Sequence, residues 1–313
     1  MNFDALINDL GQHTVDGLAK GSIYALVALG YTLVYGVLRL INFAHSEVFM
    51  VGTFTVVGTW SLLGATDGPG AGMMILLLLA ALVAAALASG ATAVVVERVA
   101  YRRLRRMNAP PLIFLITAIG VSLVLSEAFG VWQGRLVVGM PTVVPQSELF
   151  SVAGIGITNV QFITVVAAVI MMIALDQFIN QTRYGRGVRA VAQDPDTAAL
   201  MGVNKDRVIA LIFLLGGLLA GAAALLYCIR YGNTRFNVGF VLGLKAFTAA
   251  VLGGIGNLRG ALLGGLVLGV VEVYSATVTS SRWEDVAAFV VLVIVLLFRP
   301  TGLLGESLGR ARA

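Results

Sequence analysis

The sequence predicts an all-α, polytopic membrane helix bundle, and three observations carry that prediction. Of its 313 residues, 58% are hydrophobic and only 12% charged, where about 25% charged is usual for a soluble domain. The apolar residues come in runs of roughly 15 to 25, the length that crosses ~30 Å of hydrocarbon as helix. The basic residues gather in three short stretches, as the positive-inside rule requires of cytoplasmic segments.

Taken in order, membrane segments are predicted at 15–38, 47–64, 72–96, 112–132, 159–180, 208–229, 241–256, 261–280 and 285–298. Ahead of the first, "MNFDALINDLGQHTVDGLAKG" carries Asp4, Asp9 and Asp16 where a signal peptide has its basic region, so no cleavable signal is expected there. The first basic stretch holds Arg98, Arg102, Arg103, Arg105 and Arg106. The second, within 181–207, holds Arg183, Arg186, Arg189, Lys205 and Arg207, and the tail holds Arg299, Arg310 and Arg312. Two crossings separate the first stretch from the second and four separate the second from the tail. All three therefore face one side, which puts the N-terminus outside and the C-terminus in the cytoplasm. Segment 241–256 is short and Gly-rich and 285–298 is short, so the expectation is eight or nine membrane segments, with broken or re-entrant Gly-rich helices among them.

Small residues recur at four-residue spacing inside the segments, at Gly17/Gly21, Gly217/Gly221, Gly260/Gly264 and Gly265/Gly269. In lipid, close approach at small residues supplies helix packing, so these are expected to pack within one bundle. Trp60, Trp132 and Trp283 lie near segment ends and fit interfacial anchoring. The external stretch 133–158 is too small for a domain and suits a cap. The whole of 1–313 is expected to be one membrane domain.

The chemistry the sequence omits narrows the function. The lone Cys228 excludes an intrachain disulfide or a cysteine metal cluster, and His13 and His45 are too few for a histidine-rich metal site. No P-loop, zinc-protease or nucleophile-elbow motif occurs. "GGIGNLRGALLGG" misses the dinucleotide spacing and lies between membrane segments. No metal, cofactor or catalytic residue is expected, and the net charge of +5 reflects topology rather than nucleic-acid binding.

Two stretches carry positive signals. In "QDPDTAALMGVNKDR", Asp194 suits an N-cap, Pro195 the first helical position, Asp196 the positive end of the helix dipole and Gly202 a left-handed C-terminal cap. Thr197, Ala198, Leu200 and Met201 lie between them as an apolar patch, fit either for docking a cytoplasmic partner or for resting on lipid. In "LRLINFAHSEVFMVG", Arg39, Asn42, His45, Ser46 and Glu47 crowd between two apolar runs, either as a solvated turn or as a broken helix beside a water-filled path. Glu127, Lys245 and Glu272 are further charges inside segments, where survivors face a pathway or a partner.

"GSIYALVALGYTLVYGVLRLINFAHSEVFMVG", "YGRGVRAVAQDPDTAALMGVNKDRVIALIF", "GLKAFTAAVLGGIGNLRGALLGGLVLGVVE" and "FRPTGLLG" together resemble LivH-type permeases of branched-chain amino acid ABC importers, over nearly the whole chain. The resemblance implies a multi-pass protein of the bacterial cytoplasmic (inner) membrane. It also implies a related second permease, two cytoplasmic ATPases that hold ATP and Mg, and an extracytoplasmic substrate-binding protein. Leucine, isoleucine and valine are the usual cargo, while relatives carry urea, short amides or other amino acids; an ion-driven secondary transporter or a channel is the rival class. The Asp194–Gly202 helix then becomes the ATPase-coupling helix. Asn42, His45 and Glu47 match the family's N-F-A-H-G-E segment, with Ser46 in place of its glycine, which puts any left-handed turn at that position in doubt. Asn42, His45, Ser46 and Glu47, with Gly254, Gly256 and Asn257 of the second Gly-rich interruption, are the candidates for lining the translocation path.

Overall fold

The computed structural model describes residues 9–152, 155–299 and 301–305; Asp4, Arg310 and Arg312 lie outside them. Helices α1 (Leu10–Leu38), α2 (His45–Leu62) and α3 (Ala71–Val96) come first, α3 running on through a π-helical turn, Glu97–Tyr101, into α4 (Arg102–Arg106). Next come α5 (Pro111–Gln133), strands β1 (Val138–Gly139), β2 (Glu148–Val152) and β3 (Ile155–Thr158), and α6 (Asn159–Gln181). Two short helices, α7 (Arg183–Gln193) and α8 (Pro195–Leu200), lead into α9 (Lys205–Tyr231) and β4 (Asn233–Thr234). Helices α10 (Val238–Gly253), α11 (Leu258–Val278) and α12 (Glu284–Phe298) complete the described chain.

The fold is all-helical apart from these short strands, and 6 helices among the described residues are long and apolar enough to cross a membrane: α1, α3 with α4, α5, α6, α9 and α11. Of the remaining expected segments, α10 is a shorter apolar helix, and α2 and α12 have 18 and 15 residues. Helices α1 and α9 form the centre, whereas α3, α5 and α6 leave most of their apolar surface uncovered. That is the distribution expected when the surrounding solvent is lipid rather than water.

The spaced glycines lie where helices cross. A methyl group on Gly17 would sit 2.6 Å from the Val270 Cα, one on Gly265 2.6 Å from the Ala25 Cβ, and one on Gly217 2.7 Å from the Ser89 carbonyl oxygen. Three of the pairs thus close the α1–α11 and α9–α3 contacts inside this chain, and Gly260/Gly264 faces α10, by the backbone approach that only a missing side chain allows.

Side-chain pairs mark the two ends of the bundle. At one end Arg105 pairs with Asp206 at 3.0 Å and Arg259 with Asp176 at 3.2 Å, and the Leu303 and Leu304 amides donate to the carbonyls of Leu252 and Gly253 at 2.8 and 3.0 Å. At the other end β1 pairs with β4, Gln161 donates to Asp16 at 2.7 Å, and Trp132 and Trp283 are exposed. Arg230 to Asp16, 3.5 Å apart, shows that α1 and α9 run antiparallel.

One local expectation changes, and two elements that the sequence left open take shape. Trp60 is buried, and its indole donates to the Leu77 carbonyl at 3.3 Å; it packs α2 on α3 rather than anchoring at an interface. The 133–158 stretch contains strands, with β2 and β3 paired antiparallel. Residues 183–193 form a helix of their own, opened by Thr182, whose hydroxyl accepts from the Gly185 amide at 3.0 Å.

Candidate functional site

The first interruption follows α1, whose last turn is closed by Arg39 in the left-handed conformation (φ 52°) with its N–H on the Tyr35 carbonyl. Residues 39–44 are not helical, and α2 starts at His45. The His45 ring packs on Gly30, where a methyl would lie 2.5 Å from its Cε1. Gly30 precedes Leu38 by eight residues, so α2 begins ~12 Å inside the end of α1. Irregular backbone at that depth is tolerated because protein surrounds it: Asn42, His45, Ser46 and Glu47 are all at most 3% exposed. The reading of this stretch as a solvated turn is therefore set aside.

Local bonds satisfy most of the segment. Tyr101, on the π-helical turn, donates to Asn42 Oδ1 at 2.8 Å. The Ser46 hydroxyl donates to the Phe43 carbonyl at 2.6 Å, and Glu47 Oε1 accepts from the Ser122 hydroxyl at 3.2 Å. Ser46 lies inside the first turn of α2, and the left-handed residue is Arg39. The serine therefore carries no backbone strain. Its side chain is accommodated on the facing helix by Gly243, at which any added carbon would collide with it.

A second interruption, which the sequence reading missed, enters from the opposite end. Gly232 (φ 63°) closes α9, and residues 232–237 run back into the bundle. The hydroxyls of Thr234 and Thr53 share a 2.7 Å hydrogen bond, and Ser126 donates to the Phe236 carbonyl at 3.1 Å. Helix α10 then starts at Val238, with Gly239 so close to α2 that a methyl on it would lie 2.8 Å from Glu47 Oε2. The N-terminal turns of two interrupted helices thus meet inside the bundle. The sequence signal was "GNTRFN", a glycine and polar residues just before a helix too short to span.

Gly254, Gly256 and Asn257 occupy a different place, the tight turn between α10 and α11. Both glycines have positive φ, 105° and 98°, which a side chain would strain. Asn257 Oδ1 accepts from the Arg259 and Gly260 amides at 3.0 and 3.2 Å, and its Nδ2 donates to the Leu304 carbonyl at 2.9 Å. The turn lies at the basic end, where the Leu303 and Leu304 amides bond to the carbonyls of Leu252 and Gly253. It holds Ile255, which lines a small apolar cleft together with Ile41, Tyr31, Tyr35, Phe247 and Ala250. The two Gly-rich or polar interruptions read from the sequence therefore share one cleft through Ile41 and Ile255.

The 194–202 stretch forms the capped helix its sequence predicts. Asp194 accepts from the Asp196 and Thr197 amides at 2.9 and 3.1 Å and from the Thr197 hydroxyl at 2.5 Å. Those bonds, led by the Thr197 hydroxyl, hold its carboxyl below the ordinary aspartate range. Pro195 opens α8, Ala198 is buried against the bundle, and Gly202 (φ 85°) closes the turn. Leu200 and Met201 are 87% and 81% exposed, an apolar pair projecting from the basic end.

The remaining charges are paired. Lys245 lies on the buried Glu272 and 2.6 Å from Asp285, and Lys20 binds Glu284 and lies 3.6 Å from Glu272. The carboxylates of Glu272, Glu284 and Asp285 approach one another within 4.8 Å, and two ammonium groups already lie among them. Glu127 is half-exposed and pairs with Arg135 at 2.6 Å.

A multi-pass helical bundle whose buried polar residues gather at helix interruptions, with a capped apolar knob on its basic end, has the make-up of a polytopic membrane protein. The chain belongs to the family described as branched-chain amino acid transport system / permease component, whose profile matches residues 13–296. It is 44% identical, over 94% of this chain and 95% of the relative, to the high-affinity branched-chain amino acid transport system permease protein BraD of Pseudomonas aeruginosa. It is 42% identical, at the same coverages, to the corresponding LivH protein of Escherichia coli. A probable branched-chain amino acid transport permease protein LivH of Methanocaldococcus jannaschii is 24% identical over 96% of this chain and 95% of that one. No solved structure matches it significantly. The chain is thus a multi-pass membrane permease component.

Proposed function

We propose that this chain is a permease subunit of an ATP-driven importer in the cytoplasmic (inner) membrane, passing branched-chain amino acids received from an extracytoplasmic binding protein. The observation that carries this reading is that two helix interruptions meet at a narrow apolar cleft lined by Tyr31, Tyr35, Ile41, Phe247, Ala250 and Ile255. At about 10 Å³ it holds no more than a water in this conformation, so it is the closed form of a passage whose aromatic and branched walls suit an aliphatic side chain once it opens. Asn42, His45, Ser46 and Glu47 line the inner part of that path, and the Gly254–Asn257 turn holds its wall at the basic end.

Eight or nine helical segments cross the membrane in this reading, with α10 re-entering from the interrupted end, so that the described chain starts outside and the basic end faces the cytoplasm. The antiparallel pairing of α1 with α9 and the gathering of the basic stretches at one end support it. Residues 181–207 are then the coupling loop of a single permease domain, and α8 with Leu200 and Met201 seats in a cytoplasmic ATPase. Two such ATPases hold the ATP and Mg, and a related second permease completes the path.

Leucine uptake into proteoliposomes tests this assignment. Uptake is expected only when the chain is combined with its second permease, both ATPases, the binding protein and ATP. ATP-independent uptake by this chain alone would overturn it in favour of a channel or, where an ion gradient drives it, a secondary transporter.

A further inference from the structure

Glu47 has one carboxylate oxygen with a partner and one without. Its Oε1 accepts from Ser122 at 3.2 Å, while Oε2 is buried with no hydrogen-bond partner, in a residue that is 0% exposed. That free oxygen points at the first turn of α10, beside Gly239. Leaving a carboxylate oxygen unpaired at this depth is costly unless a cation or donor reaches it during the working cycle. Among the described residues, the cationic side chains of the core, Lys20 and Lys245, are engaged with Glu272, Glu284 and Asp285.

The neighbour that links this oxygen to the cleft is Tyr31. Its hydroxyl is likewise buried without a partner, and it lies 3.1 Å from where a Gly243 methyl would be, on the glycine that also faces Ser46. The ring of the same tyrosine is a wall of the apolar cleft. One side chain therefore spans the polar junction and the apolar one, an arrangement that matches a molecule with a charged head and an aliphatic tail.

We propose that Glu47 Oε2 is the counter-ion for the α-ammonium group of the amino acid in transit, with the cargo's side chain passing beyond Tyr31 through the cleft as it opens. This rests on the permease reading above and deepens it by assigning the ammonium site. The glycines at 239 and 243 bring α10 directly onto Ser46 and Glu47, so the head group reaches the carboxylate as α10 moves off α2.

The test places a reporter beside the carboxylate. In the assembled importer, with Cys228 replaced by alanine, Ser122→Cys is reacted during turnover with a cationic and with a neutral methanethiosulfonate reagent. The expected result is faster labelling by the cationic reagent, protected by leucine and by 3-methylbutylamine but not by 4-methylpentanoate. Glu47→Gln should lower the cationic-to-neutral rate ratio about tenfold, the factor carried by a hydrogen bond to a charged group, with Glu47→Asp retaining most of it. Protection by leucine and 4-methylpentanoate alike, with an unchanged ratio in Glu47→Gln, would overturn the ammonium site and leave the path intact. Labelling that no ligand affects, in an importer that still transports leucine, would overturn both.

Discussion

The phenol of Tyr101 donates a 2.8 Å hydrogen bond to the side-chain oxygen of Asn42, tying the π-helical turn after α3 to the non-helical stretch between α1 and α2. Both residues are buried, so neither has water as a substitute partner. The same turn begins with the buried Glu97, held by Arg102 at 3.2 Å and Arg105 at 2.6 Å, and Arg105 also reaches Asp206 in the first turn of α9. Helix α8 immediately precedes that turn. A continuous set of bonded residues thus joins the 181–207 loop to the first interruption.

Removing the phenol isolates one bond of that set. Tyr101→Phe is expected to leave the Asn42 oxygen unsatisfied at a cost of ~1–3 kcal/mol, lowering the thermal midpoint of the purified permease and slowing leucine uptake. Wild-type values for both would show that the bond carries neither stability nor function.

The Asp194 cap has a pH signature. Its folded-state carboxyl lies below the ordinary aspartate range, so its contribution is complete above that range and is lost as pH falls through the depressed value. Hydrogen–deuterium exchange of 195–200 should show protection falling with acid in the wild type. Asp194→Asn, which caps without titrating, should show a flat profile, and a parallel acid response in that variant would contradict the assignment.

Leu200 and Met201 test the knob itself. Replacing both with Asp puts charge on the only strongly apolar part of α8, and should abolish co-purification of the ATPase while leaving the permease fold and midpoint unchanged. ATPase retention at the wild-type level would remove α8 from the interface.

Lys245→Met should be among the most damaging single changes in the bundle. It strips the nearest cation from the buried Glu272, and breaking a buried pair costs ~3–5 kcal/mol. Adding Glu272→Leu should restore part of the loss in a thermal melt, because the uncompensated charge is then gone. A double variant no more stable than the single one would point to packing instead of charge.

Much of this was legible in the sequence because membrane helices announce themselves by length and apolarity. The α8 cap signals are local: an Asp, a Pro and a Gly at fixed offsets fix the ends of a short helix without tertiary help. The Gly17/Gly21 and Gly265/Gly269 spacings likewise read as packing, and they became the α1–α11 contact. What stayed hidden depended on depth. Residues 232–237 look like an external turn, and only the Thr234–Thr53 bond and the contact of Gly239 with Glu47 place them inside. Trp60 followed segment-end logic until α3 covered it. Ser46 drew suspicion through a glycine it replaces, although the left-handed residue lies seven positions earlier, at Arg39.

Passage of cargo between Ile41 and Ile255 is tested by a reversible lock across the cleft that they share. Ile41→Cys and Ile255→Cys are introduced together, with Cys228 replaced by alanine, and bridged by a short cleavable bis-thiol reagent in the reconstituted importer. Leucine uptake is expected to stop on bridging and to return on cleavage, with the ATPases still bound and each single-cysteine variant unaffected. Undiminished uptake through the bridged protein would show that cargo does not pass this cleft.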